Sequence, residues 1–277
     1  MVRRVLASLL ILAGVGSLAA QAQEFPIFDA HIHYNQADWE ALTPPQILAI
    51  LDQAGVRWAL VSSTPDDGTL KLYEAAPLRI VPSLRPYRIP EDMGSWHSDP
   101  AIQTYLEERL KRGVYKAIGE FHLAAAHVEA PVVRRCAELA VQHQLVLHAH
   151  VDAQTVEKLS VLYPRVRLLW AHAGMSATPA TVAQLLERFP NLWVELSLRS
   201  DVAPGGMLDA AWRNTFLRFP TRFLVGTDTW MTWRWETLVA GMQTKRRWLA
   251  QLPHEAAEGL AYRNAARLFG LTLSPSP

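Results

Sequence analysis

Residues 53–61, QAGVRWALV, and residues 111–119, KRGVYKAIG, share one junction: the end of a helical pattern, a glycine, then a valine opening an apolar run. A glycine there stops a helix because it accepts the left-handed backbone that closes the last turn. Three further junctions repeat a second pattern, an aromatic-Pro pair that ends a helix before a strand: YPRVRLLW (163–170), FPNLWVEL (189–196) and FPTRFLVG (219–226). Outward from these entries lie eight short apolar runs, at 26–33, 56–63, 79–84, 115–121, 145–150, 166–172, 192–198 and 222–228. Continuous runs rich in β-branched residues and bounded by breakers mark strands buried on both faces, as in a parallel sheet.

The segments between the runs have helical periodicity. TPPQILAILDQAG (43–55) and TPATVAQLLERFP (178–190) both open on Thr-Pro, a capping hydroxyl followed by a proline at the first helical position. Eight β/α units with no linker or low-complexity stretch predict an α/β fold, a single-domain (β/α)8 TIM barrel spanning residues 23–277. An open doubly wound sheet is the competing architecture, but neither GxGxxG nor GxxxxGK[ST] is present. The chain of 277 residues is 50% hydrophobic and 19% charged with net charge +1, ordinary globular values that suggest neither nucleic acid nor a membrane surface as partner. Cys136, the single cysteine, excludes an intrachain disulfide and a CxxC metal site, and its apolar helical setting predicts a buried thiol.

Residues 1–22 stand apart. A basic MVRR, an apolar VLASLLILAGVGSLAA and a small-x-small AQA at 20–22 form the pattern of a secretory signal peptide cut after Ala22. An uncleaved anchor is the alternative, although the run is short for a bilayer span. The mature chain is therefore expected to be exported, periplasmic or secreted.

In a barrel of this kind catalytic groups belong at the C-terminal ends of strands. The first strand ends in FDAHIHY (28–34), where His31 and His33 lie about 6.6 Å apart on one face if the strand is regular. Glu120 ends the fourth run, His148 and His150 the fifth, His172 the sixth and Asp228 the eighth, while Glu195 and Ser197 lie near the end of the seventh. Imidazoles and carboxylates converging with an open coordination position suit zinc, and also manganese, iron or cobalt. Such an ion acidifies water and polarises a carbonyl or phosphoryl oxygen.

DAHIHY, AIGEF, LVLHAH, LLWAHAG, LVGTD and the terminal NAARLFG, in this order and each at its own position, resemble the amidohydrolase superfamily, in its amidohydrolase-2 branch. The resemblance implies that His31, His33, His148 and Asp228 bind a divalent metal and that Asp228 also accepts a proton from water. It implies that His172 is a ligand of a second metal or a general acid/base. Glu120 occupies the place where many two-metal members carry a carboxylated lysine and some a glutamate, so it either bridges two ions or braces one.

Other residues read as pocket or scaffold. Arg85, at the end of the third run, is a candidate grip for a carboxylate or phosphate, with Arg199 a second candidate and a structural salt bridge the alternative. Trp230 is a candidate pocket wall, and His150 a pocket-wall group or a further ligand. Asp29 is expected to make a structural hydrogen bond. His97, His122, His127, His143 and His254 lack a strand-end position and read as loop or surface residues. The long loop RPYRIPEDMGSWHSDP (85–100) is expected to shape the substrate pocket. No GxSxG nucleophile is present. The expected activity is hydrolysis of an amide, ester, lactone or phosphoester bond of a small molecule by metal-activated water. A one-metal decarboxylase of a cyclic or unsaturated acid is the alternative, and a barrel that binds without turnover a third reading.

Overall fold

The computed structural model describes residues 25–272; the expected signal peptide lies outside them. Eight parallel strands follow one another around the sheet in sequence order. They are β1 (Ile27–His33), β2 (Val56–Ser62), β3 (Ile80–Leu84), β4 (Ala117–His122), β5 (Val146–His150), β6 (Arg167–Trp170), β7 (Leu192–Glu195) and β8 (Phe223–Leu224). The ring closes through β8's continuation: Ala30 N donates to Val225 O at 2.9 Å, Asp228 N donates to His31 O at 2.7 Å, and Ile32 bridges Thr229 in parallel. The fold is a (β/α)8 barrel.

A principal helix follows each strand: α1 (Pro44–Gln53), α2 (Asp67–Ala75), α3 (Ala101–Leu110), α4 (Pro131–Gln142), α5 (Ala153–Leu162), α6 (Pro179–Arg188), α7 (Ala210–Arg218) and α8 (Trp233–Leu249). The Thr-Pro starts behave as expected. Thr43 N donates to Gln46 Oε1 at 2.8 Å, and Thr181 N donates to Thr178 Oγ1 at 3.2 Å. Cys136 is buried in α4, and burial pushes its thiol up to about 12. Among the described residues no helix is long and apolar enough to cross a membrane.

The lower interior of the barrel is apolar. Phe28, Leu60, Val81, Val146, Leu169 and Leu224 form one buried cluster, covered by α9 (Asn264–Phe269), whose Phe269 ring stacks on Phe28 at 5.6 Å. The motif NAARLFG is therefore the plug of the floor.

Two strands change face on the way up. Phe28 and Ala30 belong to the interior cluster and Ile27 packs outward, so strict alternation would send His31 and His33 outward, yet Ile32 packs outward instead. The β1–β2 register slips between Asp29 and Ile32, three steps on β1 matching two on β2, and this extra residue turns both histidines inward. Strand β4 repeats the device: its register with β5 slips between Gly119 and Phe121, leaving Glu120 as the extra residue. Gly119 has φ +126, and a Cβ there would collide with the His148 carbonyl oxygen, so only glycine suits the bulge. A regular strand from 115 to 121 misses this shift, and it also misses His122, which ends β4 rather than lying in a loop.

Candidate metal centre

The bulges bring four side chains to one point at the C-terminal rim. His31, His33, Glu120 and Asp228 are all buried, and each offers a ligand atom within 4.8 Å of the other three. The two Nε2 atoms of His31 and His33 are 3.1 Å apart. Glu120 Oε2 lies 3.4 Å from His31 Nε2 and 3.2 Å from His33 Nε2, and Asp228 Oδ1 lies 3.5 and 3.2 Å from the same two atoms.

The other ring nitrogens are held from behind. His31 Nδ1 donates to Glu195 Oε2 at 3.0 Å, and His33 Nδ1 pairs with Ser62 Oγ at 2.9 Å. A hydrogen on His31 Nδ1 leaves its neutral ring with a lone pair on Nε2, aimed at His33 Nε2 and two carboxylates. Imidazoles and carboxylates converging in this way call for positive charge among them, supplied by a bound ion or, without one, by a protonated His31. Separations of 3.1 to 3.5 Å also match the edges of a tetrahedron about an ion with bonds of about 2.1 Å. The residues fit a divalent metal.

Glu195 and Ser197 supply the brace that sequence reading located at β7 without a role. Glu195 accepts from the backbone and hydroxyl of Ser197 and from His172 N, while Ser197 Oγ lies 2.8 Å from His172 Nδ1. Gly226 leaves room for this contact, since a Cβ there would overlap the Glu195 carboxylate. Ser62 was missed; the strand-2 ending VSS was its only signal. Asp29 makes the expected structural bonds, accepting from His31 N at 3.1 Å, Thr227 N at 2.9 Å and Thr227 Oγ1 at 2.6 Å.

Charge follows geometry. Burial raises carboxylate pKa values, but the facing imidazoles outweigh it: Glu120 and Asp228 are held well below the usual range and Glu195 falls to about 2. Burial likewise opposes protonation of His31, yet Glu120 and Asp228 hold its pKa well above the imidazole range. Asp228 and His172 adopt φ values of +53° and +56°, a left-handed backbone that non-glycine residues take at a cost of about 1–3 kcal/mol.

A second set of imidazoles faces the other oxygen of Glu120. His150 Nδ1 is 2.9 Å and His172 Nε2 is 3.3 Å from Glu120 Oε1, and His172 Nε2 is 3.9 Å from Asp228 Oδ2. His150, Glu120 and His122 form another close-set group of candidate ligands. His148 lies beside the cluster, not within it. It pairs in register with Gly119 below the bulge, its ring rests on His31 at 4.5 Å between centroids, and its buried Nε2 has no partner. Burial, then the neighbouring His31, lowers its pKa well below the ordinary value.

A cleft of about 340 Å³ opens over the cluster. Arg85, Met93, Leu198 and Trp230 form its walls, with His122 and His150 on one side. Arg85 is partly anchored: its Nε donates to Glu120 O at 3.0 Å and Nη2 lies 3.6 Å from Glu120 Oε2. The 85–100 loop packs onto β4, as Trp96 Nε1 donates to His122 O at 2.8 Å and His122 N donates to Tyr87 Oη at 2.7 Å. His122 is thus a cleft residue, and burial lowers its pKa to about 4. Arg199 takes a structural salt bridge. Its Nε and Nη2 grip Asp201 at 2.7 and 2.6 Å, Nη2 also donates to Ala177 O, and Nη1 donates to His172 O and Ala173 O. These bonds use the guanidinium to clamp the turn after β6.

A barrel with a buried histidine–carboxylate cluster at the C-terminal rim is the class of metal-dependent, hydrolase-like enzymes. The amidohydrolase family model matches residues 95–271, and the chain belongs to that family. Among solved structures the fold is similar to a zinc-bound amidohydrolase from Burkholderia multivorans (16% identity, TM-score 0.59, covering 89% of this chain and 99% of that one). It is also similar to a probable 2-pyrone-4,6-dicarboxylic acid hydrolase from Acinetobacter baumannii with citric acid bound (14%, TM-score 0.60, 89% and 100%) and to amidohydrolase 2 from Bifidobacterium longum subsp. infantis (16%, TM-score 0.55, 90% and 100%). No curated protein sequence matches the chain significantly.

Proposed function

We propose that this chain hydrolyses an ester, lactone, amide or phosphoester bond of a small anionic molecule with divalent metal, zinc the first choice, for which Glu120 would serve as a ligand in each of two groups of side chains. The carrying observation is the split of Glu120: Oε2 faces His31 and His33, and Oε1 faces His150 and His172. The first group would comprise His31, His33, Glu120 and Asp228; the second Glu120, His150 and His172, with the unspent Nε2 of His148 in reserve. Bound there, the ions would act as Lewis acids that polarise the scissile oxygen and acidify water.

The protein's own groups do the rest. Arg85 orients an anionic group of the substrate through the guanidinium edge that Glu120 leaves free. Trp230, Met93 and Leu198 exclude water from the apolar part of the molecule. Asp228, at the floor of the cleft, takes a proton from the attacking water at its carboxylate and returns it to the leaving group. Glu195 and Ser62 fix the ring orientations of His31 and His33 from behind. A lactone or ester that carries a carboxylate suits Arg85 best, and the likeness to a probable pyrone-dicarboxylic acid hydrolase supports that choice. The leader pattern of residues 1–22 supports work outside the cytoplasm.

Elemental mass spectrometry of the purified mature chain, paired with a panel of carboxylated lactones and esters, tests the proposal. Two ions per chain, falling to one or none in Glu120→Ala with loss of turnover, is the expected result. One ion with release of CO₂ from unsaturated acids would replace hydrolysis by decarboxylation. No ion after zinc and manganese are offered would overturn the reading.

A further inference from the structure

A second cavity, of about 250 Å³, lies on the flank of the barrel between α8 and the rim segments after β7 and β8. Its walls include Leu198, Thr227, Arg234, Thr237, Lys245 and Trp248, and no aspartate or glutamate lines it. Three cations face this space. Arg199 is neutralised by its two bonds to Asp201, but neither Arg234 nor Lys245 makes an ion pair with any described carboxylate.

Arg234 is half satisfied. One Nη2 bond to Thr227 O, at 3.1 Å, fixes the guanidinium against the segment that carries Asp228, while its Nε is buried with no acceptor. A charged donor left buried and unspent is unfavourable, so native proteins rarely keep one without a ligand or water to fill the place. Lys245 is the second open cation. Burial lowers its pKa, and the charges of Asp29 and Glu195 only partly offset that. Ser200, Thr237 and Thr244 also line the space, the last two with hydroxyls that donate to Arg234 O and Ala240 O of their own helix.

We propose that this cavity binds a small oxyanion, a phosphate or carboxylate group, between Arg234 and Lys245. The site is separate from the rim cleft, with Leu198 a wall common to both. Arg234 ties it to Thr227, so the bound anion braces the back of the Thr227–Thr229 segment while Asp228 faces the cleft. The assignment does not depend on the metal reading.

Titration calorimetry of the full mature protein with inorganic phosphate, at constant ionic strength, is the test. One phosphate per chain that persists after the metal is removed by chelation is expected. Arg234→Gln and Lys245→Met should each weaken it about 10- to 100-fold, Lys245→Arg should retain it, and Asp228→Ala should leave it unchanged. Acetate titrated in the same way separates the sources: competition with phosphate assigns a carboxylate-tolerant site, and its absence a phosphate-selective one. Should Lys245→Met fail to fold, as read by circular dichroism, the partly exposed Arg234 carries the same comparison. No binding up to about 10 mM, equal binding in both charge-removing variants, or loss of binding in Asp228→Ala would each overturn the proposal.

Discussion

The floor and the rim of this barrel are built from the same eight strands and obey different rules. At the floor the inward residues are apolar, a register shift between Ile27 and Phe28 leaves the packing intact, and α9 seals the strands with Phe269 stacked on Phe28. At the rim β1 and β4 each carry an extra residue, Asp228 and His172 take left-handed backbone, and the inward residues are imidazoles and carboxylates. Apolar packing needs only volume and tolerates regular geometry. A ligand set needs several atoms within a few tenths of an ångström of set positions, and the chain bends out of regularity to supply them.

The contrast can be broken from either end. The largest effect is expected at the rim: Asp228→Ala should abolish tight metal binding and lower hydrolysis by about 10³-fold or more, equivalent to about 4 kcal/mol. Thermal stability should change little. Unchanged metal content and rate in that variant would disprove the role of Asp228. Phe269→Ala should do the reverse, costing about 3–5 kcal/mol of stability in denaturant unfolding while metal stoichiometry in the folded fraction stays the same.

A smaller change sharpens the view of the rim. Glu195→Gln removes the charge behind His31 but keeps the shape, and should weaken metal affinity by about 10- to 100-fold in chelator competition. If affinity is unaltered, Glu195 is scaffold alone.

The smallest effect concerns Asp66, a buried carboxyl in the rim-side turn before α2 that faces no imidazole. Tyr115 donates to one of its oxygens, the other has no partner, and burial raises its pKa to about 6. A folded pKa above the unfolded value means the native state holds the extra proton between about pH 4 and 6. The contribution of this group to stability is therefore greatest below pH 4 and falls as pH rises to 6, by about 1–3 kcal/mol. Asp66→Asn should lack that decline when unfolding free energies are compared at pH 4 and pH 6.5. An identical slope in both proteins would remove Asp66 from the account.

Much of the rim was legible before folding because polar residues in apolar runs are conspicuous: His31, His33, Glu120, His172 and Asp228 all stand at strand ends. The choice between His148 and His150 was not, since both share a face of β5 and only the height of Glu120 on β4 distinguishes them. His122 was hidden by a strand boundary set one residue short, and the setting of Arg199 was hidden because, besides the neighbouring Asp201, its acceptors are backbone carbonyls more than twenty residues away.

Local periodicity, breakers and caps suffice to determine eight β/α units and hence the barrel, because each unit's burial pattern is written within its own ten or so residues. Bulges, the partners of each cation and the sharing of one carboxylate between two sets of imidazoles were decided by tertiary structure alone. They depend on the register between strands, and register arises only when neighbouring strands dock and settle which atoms meet.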